Sequence, residues 1–346
     1  MNATKVTRHL LSLAGLSVLG LSTVACLNLD TNSGTRLVGQ SLAAATGITA
    51  DAVTTGTTAD AVTAITSGHM VLDPQADDRR IVETYTAPAA TLVGSYGPET
   101  HQTYKVFTPS NWSASDRRDL VVFSHGGAWS FGTADEVESV SMDLLAQGAV
   151  IVSIEYELSV PAFEQTADIV AAVRWAQTNA GDLGVDPDRT FLSGHSAGAH
   201  LSLLTAVAPT DLRGGEFIRP VVGVIAIAGP YAVNEPTYDP AIIGIRVHEI
   251  IAFVNGCGTT DCSADVLAAI SPATYVDAND PAVYMVVGEI DDLAPLVHAL
   301  LVEDSYVAAG AGDRVWVDVV EGAGHQPGFG ANATSIEAFM NSVNTI

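Results

Sequence analysis

Positive charge is scarce in this chain. It carries 14 Lys and Arg against 39 Asp and Glu over 346 residues, a net charge of −25, and Lys105 is the only lysine beyond the first 26 residues. A surface so acidic repels nucleic acid and anionic membranes and disfavours polyanionic substrates, while salt would screen its self-repulsion. Phosphate-cradling loops are missing too. There is no Gly-x-Gly-x-x-Gly and no P-loop lysine, which removes dinucleotide and ATP chemistry. Beyond the N-terminus no apolar run is long enough to span a bilayer. Only three cysteines occur, and no histidine near Cys257 and Cys262 completes a metal site, so no metal is expected. What remains, at 48% hydrophobic residues, is enough for one large domain with a substantial core.

Residues 1–26 read as an export signal. Lys5 and Arg8 precede an apolar run from Leu10 to Ala25, too short for a transmembrane helix. Thr23-Val24-Ala25-Cys26 resembles the bacterial lipobox, with Thr23 where Leu is usual. The expectation is an exported protein, either tethered to a membrane through lipidated Cys26 or cleaved and free. Removing the signal would leave a net charge near −27, because Lys5 and Arg8 go with it. Cys257 and Cys262, five apart in a glycine-rich loop, are then expected to pair, for roughly 2 kcal/mol of chain entropy. Residues 27–80 are rich in Ala, Thr, Gly and Asp and repeat Thr-Ala-Asp-Ala-Val-Thr at 49–54 and 58–63. Two copies make no solenoid, and the stretch reads as a tether or N-terminal extension.

From about residue 81 short β-rich runs alternate with helical periods. Strands are expected at 103–107, 119–124, 149–154, 190–193, 221–228, 282–287 and 315–320, and helices at 162–180, 197–208, 294–309 and 333–344. Runs such as Val221–Ile227 are apolar throughout, as strands covered on both faces must be. The alternation predicts an α/β domain over 81–346: a mostly parallel central sheet with helices on both faces, an antiparallel edge hairpin at 91–107, and a short lid insertion at 230–272.

Gly194-His195-Ser196-Ala197-Gly198 follows one expected strand and opens an expected helix. That context suits a nucleophile elbow, in which flanking glycines let a tight turn hold the serine above the sheet. Upstream, strand Leu120–Ser124 runs into His125-Gly126-Gly127-Ala128-Trp129. Acyl transfer builds negative charge on a carbonyl oxygen, and donors must already point there. Backbone N–H groups of Gly127, with Ala128 or Gly126 and with Ala197, are the candidates. A carboxylate and an imidazole should follow in the order Ser, Asp, His. Asp291 stands in Gly288–Pro295 after one strand and His325 ends Glu321–His325 after the next. His325 would take the Ser196 proton and Asp291 would hold its tautomer. His195, His200 and His298 read as structural, and Trp129, Tyr231 and Phe253 as core or acyl-pocket aromatics.

These segments resemble the α/β-hydrolase serine esterases. The likeness is to the group of hormone-sensitive-lipase-like carboxylesterases, feruloyl-esterase-like enzymes and kynurenine-formamidase-like hydrolases. It extends over roughly residues 90–345 and includes Asp186–Arg189 and Ser271-Pro272. The resemblance implies Ser196, Asp291 and His325 as catalytic triad, Gly126–Ala128 with Ala197 as oxyanion hole, a small-molecule ester substrate and no cofactor. Ala128 followed by Trp129 leans toward the esterase and formamidase branch. Glu157 stands where Arg is usual, which puts an internal ion pair in question, and Asp292 falls where Pro is common. An amidase or formamidase on the same scaffold is the alternative, and a non-catalytic surface lipoprotein a more distant one.

Overall fold

The computed structural model describes residues 89–343, except 138, 237, 239, 243–244, 259–260 and 330. The expected export signal, Cys26 and the 27–80 extension lie outside the described residues. Eight strands form one sheet: β1 (Leu92–Ser95), β2 (Thr103–Phe107), β3 (Arg118–Ser124), β4 (Val150–Ile154), β5 (Val185–His195), β6 (Gly223–Ile227), β9 (Ala282–Gly288) and β10 (Val315–Val320). Their order is β1-β2-β4-β3-β5-β6-β9-β10. The pairs β1–β2 and β2–β4 are antiparallel and the others parallel, so the edge hairpin and the parallel body both appear where the sequence put them. A two-residue ribbon, β7 (Ala241–Ile242) with β8 (Ile245–Arg246), stands apart from the sheet.

Alternation along each strand feeds two cores, because successive side chains point to opposite faces. On β3, Leu120 and Val122 join one cluster and Val121 and Phe123 the other. The first face is covered by α2 (Ala162–Thr178), α3 (Ala197–Val207) and α6 (Val297–Ala308), through side chains such as Ile169, Leu201 and Val302, and α4 (Val247–Val254) adds Ile251 to the same cluster. The second is covered by α1 (Ser139–Gln147) and α7 (Ala333–Ser342), through Met142, Leu145, Ile336 and Phe339. Helix α1 was not expected from the sequence. It ends in a Schellman turn: Gly148, at φ +116°, donates to the Leu145 carbonyl and Ala149 to that of Leu144.

Arg189 fastens the start of β5. Its guanidinium forks onto Asp119 of β3 (2.8 and 3.0 Å) and donates to the carbonyls of Met340 (2.7 Å) and Val343 at the end of α7. The insertion 230–272 contains the β7–β8 ribbon, α4 and α5 (Ala264–Ala269). Cys257 and Cys262 are joined in a disulfide between these helices, with Cα atoms 5.3 Å apart. Below Glu157, the buried Asp168 accepts from Gln102 Nε2 (2.8 Å) and from the Glu157 N–H (2.8 Å), with His101 Nε2 at 3.1 Å. An internal carboxylate is thus present, satisfied by groups other than a side chain at 157.

Candidate active site

Every candidate residue lies beyond the carboxyl end of a parallel strand, where open α/β sheets bind ligands. Ser196 sits between β5 and α3 at φ +53° and ψ −118°, a conformation L residues avoid and tight nucleophile turns require. The flanking glycines are sterically obligatory. A Cβ on Gly194 would come 2.4 Å from the carbonyl carbon of Gly198, and one on Gly198 would come 2.0 Å from the Ser124 carbonyl oxygen. The Ser196 N–H donates to the Ile227 carbonyl at 2.8 Å, fixing the turn to β6.

A chain of short contacts runs from this serine. Ser196 Oγ is 2.9 Å from His325 Nε2, and His325 Nδ1 is 2.9 Å from Asp291 Oδ2 and 3.1 Å from Oδ1. Asp291 Oδ1 also accepts from the N–H groups of Leu293 and Ala294, each at 2.9 Å. Burial works to raise the Asp291 pKa, but His325 and the two amides outweigh it and hold the carboxyl below its usual value. Asp291 is 5% exposed, whereas Asp292 faces solvent.

The loop after β3 comes directly against Ser196. A Cβ on Gly126 would lie 3.4 Å from that of Ser196. Gly127, Ala128 and Trp129 follow one another at φ +112°, +51° and +61°, and the last two are not glycines. Each such residue costs on the order of 1–2 kcal/mol, so the surroundings must hold the loop. They do so at Trp129. Its carbonyl accepts from the Ser159 N–H and from Gln165 Nε2, both at 2.9 Å, and its indole N–H donates to His200 Nδ1 at 3.1 Å. Ala197 is the first residue of α3, so its N–H has no acceptor within the helix.

A narrow cleft opens at Ser196 and His325. Trp129, Tyr238, Ile242, Val247 and Leu293 give it apolar walls, and three of these five come from the insertion. Tyr231 and Phe253 do not line it. Tyr231 is wholly buried, its hydroxyl accepting from the Gly229 N–H, and Phe253 points to solvent, 49% exposed.

Three histidines with structural readings in the sequence turn out to hold the site together. His195 Nε2 donates to the carbonyl of His325 at 2.8 Å. His298 Nδ1 accepts from the N–H of Ala232, tying the insertion to α6 (3.1 Å). His200 Nε2 donates to the carbonyl of Ile270 (2.7 Å). Burial presses the pKa of His200 down to about 4 against the pull of that carbonyl. It does the same to His298, also to about 4, with Glu235 opposing and His200 adding. Only the position of His195 next to Ser196 could have drawn attention in sequence; the partners of His200 and His298 lie about 70 residues away. Among the described residues no cluster of His, Cys, Asp and Glu could hold a metal ion.

Sheet, elbow and following loops together define an α/β-hydrolase. Solved structures share the fold: the esterase Est2 of Thermogutta terrifontis with butyrate bound (TM-score 0.56, 23% identity, 73% of this chain and 91% of that one) and a truncated carbohydrate esterase from gut microbiota (0.61, 21%, 73% and 96%). The BD-FAE family model matches residues 104–305, more than half of the chain, and the chain belongs to that family. It is also similar to the carboxylesterase NlhH of Mycobacterium tuberculosis (37% identical over 103 residues, 29% of this chain and 32% of that one). A similar likeness joins it to the esterase LipQ of the same species (30% over 186 residues, 52% and 43%) and to the kynurenine formamidase of Danio rerio (27% over 184 residues, 51% and 60%). The chain thus spans about a third to three fifths of the length of these relatives.

Proposed function

We propose that the protein hydrolyses small neutral carboxylic esters through an acyl-enzyme on Ser196. The observation that carries this reading is the unbroken hydrogen-bond path from Ser196 Oγ through His325 to Asp291. Ser196 Oγ attacks the ester carbonyl as its proton passes to His325 Nε2. Asp291, kept ionised, retains the Nδ1 proton and stabilises the imidazolium. The oxyanion meets N–H groups of Gly127 and Ala197, with Ala128 or Gly126 as a further donor. Collapse expels the alcohol, which leaves with the proton from His325. Water, deprotonated by the same nitrogen, then releases the acid and frees Ser196.

The apolar walls of the cleft and the acidic exterior both support a neutral substrate. A fluorophosphonate should label native protein and not Ser196→Ala, and that variant should lose nearly all turnover of p-nitrophenyl acetate while keeping its circular dichroism. Undiminished hydrolysis by Ser196→Ala overturns the proposal. Similarity to a formamidase favours an amide reading second, and an aryl formamide assayed beside the ester series separates the two. The N-terminal pattern and the disulfide support export, with Cys26 as the lipid-bearing residue. Mass spectrometry of the membrane fraction of the native host tests it, an unmodified chain retained in the cytoplasm being the contrary result.

A further inference from the structure

We infer that His200 is a positioning residue for the oxyanion loop, acting through the hydrogen bond that its Nδ1 accepts from the Trp129 indole; this rests on the esterase reading above. Three consecutive positive φ angles, at Gly127, Ala128 and Trp129, turn the backbone beside Ser196. Such a turn stays in place only while something outside it grips the chain. Trp129 is gripped at two points. Gln165 and Ser159 hold its carbonyl, and His200 holds its side chain. The side-chain grip is the one that reports on the nucleophile. His200 lies on α3, one turn beyond Ser196, and its N–H donates to the Ser196 carbonyl at 3.0 Å. Loop and elbow are therefore fixed to each other through one buried ring, standing edge-on to the indole with centroids 5.3 Å apart.

The protonation of that ring is settled by its neighbours. Nδ1 faces a donor and Nε2 faces the Ile270 carbonyl, so the ring carries its one proton on Nε2. The low pKa that burial imposes agrees with this neutral form. The two nitrogens can accordingly be tested apart. Asn offers an acceptor at the position of Nδ1 and nothing at Nε2, while Gln reaches the position of Nε2 and leaves Nδ1 vacant.

The experiment compares His200→Asn, His200→Gln, His200→Phe and Trp129→Phe with native protein. It reads kcat and KM on p-nitrophenyl acetate, the rate of fluorophosphonate labelling of Ser196, and the near-ultraviolet circular dichroism of each variant. A misplaced oxyanion donor lowers transition-state stabilisation and leaves ground-state binding largely alone. His200→Gln, His200→Phe and Trp129→Phe should each lose about tenfold to a hundredfold in kcat and in labelling rate, with KM within about threefold. His200→Asn should recover most of the loss. Combining Trp129→Phe with His200→Phe should cost no more than His200→Phe alone, since both remove one contact. Recovery by Gln in place of Asn would assign the effect to the Ile270 contact and overturn the inference, as would unchanged kcat in a folded Trp129→Phe. Native protein that neither hydrolyses the ester nor takes the label overturns the esterase reading instead, and this inference with it.

Discussion

The two halves of the site are built differently. The half that bears Ser196 and the Gly126–Trp129 loop rises from β3 and β5 in the middle of the sheet, where strand residues such as Phe123 and Leu192 are wholly buried. Its shape depends on backbone packed against backbone, with Gly198 pressed on Ser124 and His125 and several residues forced to positive φ. The half that bears Asp291 and His325 follows β9 and the edge strand β10, and the segment 321–326 is partly open to solvent. Hydrogen bonds between the two loops hold it, Gly322 N–H to Glu289 Oε2 (2.7 Å) and Ile290 N–H to the Ala323 carbonyl (3.0 Å), and His195 at the end of β5 ties the His325 carbonyl to the first half. Backbone crowding dominates the first half; the second meets it at Gly288, where a Cβ would come 2.0 Å from the Gly324 carbonyl oxygen, and relies on polar contacts for the rest. Substitutions at the packed glycines of the first should cost the fold, and those at the polar contacts of the second the turnover.

The sharpest break is Gly198→Ala. A methyl group there meets two carbonyl oxygens at 2.0 and 2.4 Å, and neither belongs to a flexible side chain. We expect little soluble, folded protein, read by expression yield and circular dichroism; a well-folded variant with native activity would remove the contrast. On the other side, Asp291→Asn should remain folded yet lose on the order of ten-thousandfold in kcat, because the imidazole is left in the wrong tautomer. Asp292→Asn should stay within about tenfold. Were the two results exchanged, the acid would be the neighbouring residue.

Acid should act on the contacts that join the insertion to the helices. Folded His200 and His298 refuse protons until about pH 4, while the unfolded chain takes them up near 6.5. Their contribution to stability is therefore lost as pH falls from about 6.5 toward 4, by a few kcal/mol, while Asp280, its carboxyl pushed up by burial to about 7, acts in the opposite sense over the same range. Melting temperatures of native and His298→Leu protein at pH 7 and 4.5 isolate the histidine part, the variant losing less in acid; an equal slope in native and variant protein would contradict the assignment. The smallest effect belongs to Glu289→Gln. It weakens one contact to Gly322 by removing charge, and should cost only several-fold in kcat with an unchanged melting temperature. Effects beyond a hundredfold would show that the outer loops depend on that carboxylate far more than their geometry indicates.

The same contrast explains what the sequence made legible. The elbow and the loop after β3 were readable because steric demands place glycines at short, fixed spacings around Ser196 and after His125. The sheet was readable because runs such as Val221–Ile227 are apolar on both faces. Asp291 and His325 carry no local signature, and only their order after successive strands pointed to them. Helix α1 escaped because its few apolar residues follow a long irregular stretch and its stop signal, Gly148, also reads as a turn. The cleft walls escaped for another reason. Tyr238, Ile242 and Val247 reach the site through distant ties, such as Tyr238 to the Leu293 carbonyl (2.8 Å) and His200 to Ile270, which no spacing along the chain encodes.

The pairing of β6 with β9 carries a further consequence, for how the chain folds. Gly223–Ile227 is apolar and wholly buried on both faces, yet its partner Ala282–Gly288 arrives only after the insertion has been threaded past. Closing so long a loop costs little more at equilibrium than closing a short one, but it postpones the contact that rewards it. Until then β6 is a bare, uncharged strand edge, a template for strands of other molecules as much as for its own. Refolding from denaturant should accordingly compete with aggregation, its yield falling as protein concentration rises, with the β6 edge as the place where intermolecular pairing begins.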